Sequence, residues 1–194
     1  MSRFNPKYNF VLKQEALRVC TFSRVMKEKG IGDAITAVCS VNNILGFNAF
    51  RLDIYGKVDG NQVEWFDSLI RNVPGYINYK GLVPYDETTK IKKNYFALLF
   101  PTHYDGEGFA GTLIDALAAG VPVIASDWKY NSELVVDKVT GIIFETRNTD
   151  DLIKKLLWVY EHQIVWNDMK KQCLHRAFDY IPKKALVPLL TNFS

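Results

Sequence analysis

Two acidic residues, Glu107 and Asp115, stand eight positions apart on either side of a predicted helix start. Glycines surround Glu107 on both sides, and a glycine lets the backbone approach a ligand closely. A helix that begins near Gly111 would point free N–H groups at this loop, where they favour a phosphate. Carboxylates accept hydrogen bonds from hydroxyls. The layout therefore predicts a site for a ligand with a central phosphate and hydroxyl-bearing rings at both ends, such as a nucleotide sugar.

The residues that lead into this loop read as a buried parallel strand. Residues 95–100 are almost all apolar, as expected for a strand that is covered on both faces, and Pro101 ends the run. In doubly wound sheets, ligands bind at the carboxyl edge near the point where the strand order reverses. We therefore expect the acidic loop to lie at that edge.

A second strand and loop occur near the start of the chain. Residues 17–23 read as a strand, and Arg24 and Lys29 lie in the loop that follows it. The apolar residues of 32–45 have the spacing of a helix.

Strand and helix patterns alternate along the whole chain, which is typical of an α/β fold. This alternation predicts a Rossmann-like, doubly wound and mainly parallel sheet with helices on both faces. We expect a single domain over residues 1–194, with C-terminal helices from about residue 164. The predicted strands are near 17–23, 50–56, 76–80, 95–100, 121–126 and 141–144, and the further helices are at 62–71, 85–94, from 148, 164–178 and 183–190.

At these motifs the chain resembles the retaining glycosyltransferases of family 4, whose two-domain fold is called GT-B. The family pattern is Glu-Gly-Phe-Gly, four variable residues, Glu-Ala, and a small-residue run that ends Gly-x-Pro-Val-Ile. Here the pattern reads Glu107-Gly-Phe-Ala, then Asp115-Ala, then Gly120-Val-Pro-Val-Ile. Asp115 replaces the second glutamate and shortens that arm by one methylene, and Ala110 replaces a glycine.

The resemblance implies a role for each matched residue. Metal-free catalysis is implied as well, because a guanidinium and an ammonium can stabilise a departing diphosphate. We therefore expect no cofactor and no metal beyond the nucleoside diphosphate sugar itself. By this resemblance, the donor sugar would contact Glu107, Gly108, Phe109 and Ala110, with Glu107 catalytic, and the diphosphate would contact Arg24, Lys29, Gly111, Thr112 and Leu113. Asp115 would contact the ribose. The base would lie near Gly81, Leu82 and Val83.

The resemblance covers only the donor-binding half of such an enzyme, roughly residues 17–160. It implies transfer of a hexose from a nucleoside diphosphate sugar to a saccharide or lipid-linked acceptor, as in polysaccharide biosynthesis. The acceptor would bind an amino-terminal domain that is missing here, so we expect the 194-residue chain alone to be inactive. Two alternatives stay open: a non-catalytic nucleotide-binding scaffold module, and half of a nucleotide-sugar epimerase with the same fold.

Composition excludes several other classes of protein. The chain has 48% hydrophobic and 23% charged residues, as in ordinary globular proteins, and its net charge of +3 favours no nucleic-acid partner. Its three cysteines have no spacing suited to zinc. Basic clusters such as 90–93 read as solvated helix faces. We expect a cytoplasmic protein, with weak association with the inner face of a membrane left open.

Overall fold

The computed structural model describes residues 15–180, in which six parallel strands form one sheet. The order across the sheet confirms the predicted Rossmann-like, doubly wound fold, because the chain builds outward from the first strand and then reverses between the first and fourth. The strands are β1 (Leu17–Phe22), β2 (Phe50–Tyr55), β3 (Ile77–Gly81), β4 (Ala97–Phe100), β5 (Val123–Ser126) and β6 (Gly141–Phe144), in the order β3-β2-β1-β4-β5-β6.

Helices connect the strands and cover the sheet. The predicted helix at 183–190 lies outside the described residues. Within the described range no helix is long and apolar enough to span a membrane. The helices are α1 (Ile31–Leu45), α2 (Val63–Ile70), α3 (Thr88–Lys92), α4 (Gly111–Ala118), α5 (Asn131–Leu134), α6 (Thr149–Glu161) and α7 (Gln163–Ala177), with 3₁₀ turns at Lys27–Lys29, Gly60–Gln62, Tyr85–Glu87 and Phe178–Tyr180.

The core has two layers, one on each face of the sheet. Successive strand residues point to opposite faces, so Val19 of β1 joins the layer under α1 and α6, whereas Cys20 joins the layer under α4. All four residues of β4 are buried, as their apolar run predicts. Burial on both faces fixes the sheet firmly, and its carboxyl edge is therefore a rigid support for loops.

The segment before β4 differs from the sequence prediction. The strand begins at Ala97 and not at residue 95, because the amide of Tyr95 donates to the Lys92 carbonyl in a turn, at 2.9 Å. The predicted helix at 85–94 is also shorter, since a 3₁₀ turn occupies its start and α3 ends at Lys92. This short helix packs against α4.

Candidate functional site

The site is at the carboxyl edge of β1 and β4, where the strand order reverses. The loop after β1 carries Arg24 and Lys29, and the loop after β4 carries Glu107 and leads into α4. The amide of His103 donates to the Glu28 carbonyl at 2.8 Å, which joins the two loops. The topology therefore brings together two segments that are about 80 residues apart in sequence, as the sequence analysis expects.

Lys29 and Glu107 are in direct contact. The Lys29 ammonium Nζ lies 2.5 Å from Glu107 Oε2, and the two side chains are only 10% and 11% exposed. The Thr102 hydroxyl donates to the same carboxylate oxygen at 2.8 Å. Hydrogen bonds to an ionised group are the strong ones, so this carboxylate is held firmly.

Tyr104 lies at the centre of the charged residues. Lys29 Nζ is 4.8 Å from the centroid of its ring, and the Arg24 guanidinium is 5.6 Å away. The Tyr104 carbonyl accepts hydrogen bonds from the amide of Glu107 at 3.0 Å and from the indole N–H of Trp128 at 2.9 Å. Tyr104 therefore supports the two cations with its ring and the Glu107 loop with its backbone. Sequence reasoning missed this residue, because only its position between Pro101 and the acid could have pointed to it.

Arg24 is the more open of the two cations. Its guanidinium forms an ion pair with Asp59 at 3.2 Å, and half of its side chain is exposed. An exposed pair of this kind contributes little to stability. Arg24 can therefore exchange Asp59 for another anion at small cost.

The second acid, Asp115, lies one turn into α4 and faces α3. Its Oδ2 accepts from the Lys92 ammonium at 3.1 Å. The Thr88 hydroxyl lies 3.3 Å from the same oxygen but shares its one proton with the nearer Tyr85 carbonyl, at 2.9 Å. Burial lowers the pKa of Lys92, and the Asp115 carboxylate opposes that shift. Asp115 thus has a fixed ammonium partner, as Glu107 does.

The reading of the 90–93 cluster as a solvated helix face is wrong for Lys92. The Lys92 side chain is 1% exposed, whereas Lys90 and Lys93 on either side are exposed. Nothing in the local sequence distinguishes the three lysines, because the burial of Lys92 depends on packing against α4.

An open groove of about 320 Å³ runs from β1 along the start of α4. This volume is within the range of small-molecule sites. The Thr112 hydroxyl is buried and has no hydrogen-bond partner among the described residues. The groove is lined by five of the residues predicted to bind donor, Leu82, Val83, Gly111, Thr112 and Asp115, and by Lys92.

The other predicted contacts do not line this groove. Gly81 ends β3 at a φ of +73°, and its carbonyl accepts from the amide of Gly56 at 2.9 Å. Leu113 is buried in the core, and its amide already donates to the Ala110 carbonyl at 2.9 Å. A contact of Leu113 with phosphate would therefore need a different first turn of α4.

The residues of the acidic loop differ in their exposure to solvent. Gly108 and Phe109 are exposed, and the Phe109 ring lies 5.7 Å from that of Tyr180. Ala110 is buried, in keeping with a small residue at that position. Among residues 15–180 there is no group of three or more metal-ligating side chains suited to an ion.

The sequence of residues 6–176 matches the family described as glycosyl transferases group 1. The chain belongs to this family. A curated relative, the GtfA subunit of the UDP-N-acetylglucosamine–peptide N-acetylglucosaminyltransferase of Streptococcus agalactiae, is 26% identical over 153 residues, which are 79% of this chain and 29% of the relative. The chain spans between about a quarter and a half of the length of the curated relatives it matches.

Solved glycosyltransferase structures have the same fold. HepE of Anabaena, solved with UDP and glucose, superposes with a TM-score of 0.79 at 14% identity, over 92% of this chain and 48% of HepE. The C-terminal domain of the group 1 protein LpcC from Francisella tularensis gives 0.73 at 16% identity, over 84% of this chain and 85% of that domain. The glycosyltransferase chain is thus Rossmann-like and matches one half of the GT-B architecture.

Proposed function

We propose that this chain is the donor-binding half of a retaining family 4 glycosyltransferase that moves a hexose from a nucleoside diphosphate sugar. One observation carries the proposal: the predicted ribose acid, helix start and base loop line a single groove at the carboxyl edge. The predicted sugar acid, Glu107, is in the loop that leads into α4, and the first two residues of α4 line the groove.

The proposed roles follow the shape of the donor. Leu82 and Val83 contact the base, Asp115 accepts from the ribose, and Glu107 with its exposed loop holds the sugar. The diphosphate lies between them, over the first turn of α4, where the helix dipole and the free N–H groups favour an anion. The hydroxyl of Thr112 is buried without a partner, and rotation of this side chain into the groove would let it donate to the same phosphates.

Departure of the nucleoside diphosphate places negative charge on its terminal phosphate. Arg24 and Lys29 stabilise this charge without a metal, since preorganised cations cost little reorganisation during the reaction. Before the donor binds, Lys29 is held by Glu107 and Arg24 by Asp59, and phosphate oxygens replace or share these partners. Retention of configuration proceeds by attack from the face of the leaving phosphate.

We propose UDP as the nucleotide and a saccharide or lipid-linked acceptor. The UDP in the HepE crystal and the UDP-N-acetylglucosamine in the name of the GtfA relative support the choice of base. The acceptor binds a second domain, because the chain spans about half of HepE. The 194-residue chain alone would therefore bind the donor without transferring the sugar.

Calorimetric titration tests this proposal. The chain is titrated with UDP, GDP and ADP and with their glucose conjugates, first without a divalent metal and then with one. We expect metal-independent binding of UDP that is weakened at least about tenfold in Arg24→Ala and in Asp115→Ala, because each loses a charge-assisted hydrogen bond.

Two control variants remove the same charges away from the site. Arg51→Ala removes an exposed arginine near the amino edge of the sheet, and Asp67→Ala removes an exposed acid of α2. Neither should change the affinity for UDP. A folded chain that binds none of the three diphosphates, with or without metal, would contradict the donor-site proposal.

A further inference from the structure

Lys92 places a positive charge inside the wall of the groove. Its side chain is 1% exposed, and its ammonium lies 4.6 Å from the centroid of the Phe22 ring, at the end of β1. An ammonium is costly to bury unless it has a partner, and its ion-pair partner here is the Asp115 carboxylate. The pair joins α3 to α4 across the floor of the groove.

The contacts of Asp115 are unevenly divided between its two oxygens. Lys92 donates to Oδ2, whereas Oδ1 has no donor among the described residues, and the side chain is 22% exposed and lines the groove. This charge-assisted hydrogen bond from a buried ammonium orients the whole carboxylate. A carboxylate oxygen that is already oriented binds a hydroxyl without losing further side-chain freedom.

We propose that Lys92 is a positioning residue for the nucleotide: it holds Asp115 Oδ2 so that Oδ1 accepts hydrogen bonds from the ribose hydroxyls. This inference rests on the donor-site function proposed above. The short arm of an aspartate reaches fewer positions than a glutamate, so its orientation decides whether the ribose is reached at all. Lys92 itself does not touch the ligand in this arrangement.

A purely structural role for the pair makes a different prediction. If Lys92 only joined α3 to α4, its loss would lower stability and weaken every nucleotide equally. If it orients Asp115, its loss would weaken only those ligands that carry ribose hydroxyls. The ratio of the affinities for a nucleotide with and without ribose hydroxyls separates these cases, because a loss of affinity that is common to both nucleotides cancels in the ratio.

The experiment compares UDP with 2′,3′-dideoxy-UDP by calorimetric titration of the 194-residue chain. We expect the unmodified chain to prefer UDP by about tenfold, the effect of a hydrogen bond to a charged group. In Lys92→Met and in Asp115→Asn the preference should fall to about twofold or less. The double variant should show no further loss, since both changes remove the same interaction.

Two further variants distinguish an effect on ribose binding from an effect of unfolding. The double variant Lys92→Met with Asp115→Asn leaves no unpaired buried charge, so it stays folded even if Lys92→Met does not. Lys93→Met removes the neighbouring exposed lysine and should keep the full preference for UDP. Thermal melting of each variant confirms that the titrated protein is folded.

The remaining outcomes overturn one proposal or both. A Lys92→Met chain that keeps the tenfold preference shows a structural pair and contradicts the positioning role. A double variant that keeps it contradicts the contact between Asp115 and the ribose, on which that role depends. An unmodified chain that binds both ligands equally also contradicts it, while the donor site stands. If the unmodified chain binds no nucleoside diphosphate, the donor-site function fails, and the role of Lys92 fails with it.

Discussion

The Lys29 ammonium lies 2.5 Å from the Glu107 carboxylate, although the sequence resemblance assigns the first to the diphosphate and the second to the sugar. The two charges neutralise each other at the carboxyl edge while no donor is bound. Because both side chains are about nine-tenths covered, neither is well solvated alone. In the proposed donor site, a bound diphosphate would therefore share Lys29 with Glu107, which would link recognition of phosphate to the position of this acid.

Replacement of Lys29 by methionine should weaken UDP binding by about tenfold to a hundredfold. The variant loses an ammonium next to the diphosphate and leaves the Glu107 carboxylate there without its partner, so repulsion adds to the loss. Titration at two salt concentrations measures this effect. The double variant Lys29→Met with Glu107→Gln should recover part of the affinity, and a double variant no better than the single one would contradict the coupling.

Replacement of Glu107 by glutamine should separate the nucleotide from the sugar. Affinity for UDP should not fall, because Lys29 no longer has to be shared between the diphosphate and this carboxylate. The preference for UDP-glucose over UDP should fall to about onefold, since the amide is a weaker acceptor for sugar hydroxyls. Asp105→Asn, an exposed acid two residues away, is the matched control. Equal losses for both ligands would instead indicate a role in folding of the loop.

Replacement of Tyr104 by leucine should lower UDP affinity about fivefold. The ring lies under both Lys29 and Arg24, and a cation over an aromatic face gains about 0.5–2 kcal/mol. Tyr104→Phe keeps the ring and should bind UDP as the unmodified chain does. A loss as large in the phenylalanine variant would assign the effect to the hydroxyl and not to the ring.

The sequence could predict the main part of the fold and which two loops meet at the carboxyl edge, because both depend on local patterns. The apolar run of β4 and the glycine loop that ends at α4 each lie within a few residues. Lys92 could not be recognised, since its burial depends on Asp115, 23 positions further on, and on Phe22. Tyr104 was missed for the same reason, because its role depends on contacts with Lys29 and Arg24, which lie on the loop after β1.

A buried polar network around Asp53 of β2 should determine how the stability of the chain changes in acid. Asp53 accepts from Tyr95 at 2.7 Å, from Arg18 at 3.1 Å and from Asn78 at 3.1 Å. Burial acts to raise the pKa of Asp53, but these hydrogen bonds outweigh it and hold the pKa below its ordinary value of 3.8. Burial and its bond to Asp53 also raise the pKa of Tyr95, which therefore stays a donor.

The sign of the pH effect follows from that lowered pKa. The unfolded chain takes up a proton at the ordinary value and the folded chain only at a lower one, so stability falls as pH drops below about 3.8. Asp53→Asn should cost about 1–3 kcal/mol at neutral pH. Urea unfolding between pH 6 and pH 3 should show that the difference between the two proteins narrows in acid. A constant difference would contradict the linkage.

Gly30 determines how closely the two site loops can approach each other. It has a φ of +69°, and a Cβ built on it would lie 2.1 Å from the Pro101 carbonyl oxygen, at the end of β4. Gly46 has a similar φ of +77° but no atom within 4 Å of such a Cβ, so it is a matched control. Gly46→Ala should cost about 1–2 kcal/mol, the strain of a left-handed alanine alone.

Gly30→Ala should cost at least about 2 kcal/mol more than Gly46→Ala in urea unfolding, because two backbone segments must move apart to admit the methyl group. That movement displaces Lys29, the preceding residue, from Glu107. UDP affinity should therefore fall in Gly30→Ala even under conditions where the variant is folded, and stay unchanged in Gly46→Ala. Equal stability of the two variants would mean that the Pro101 loop yields freely, and the close approach of the loops would then not be what holds Lys29 against Glu107.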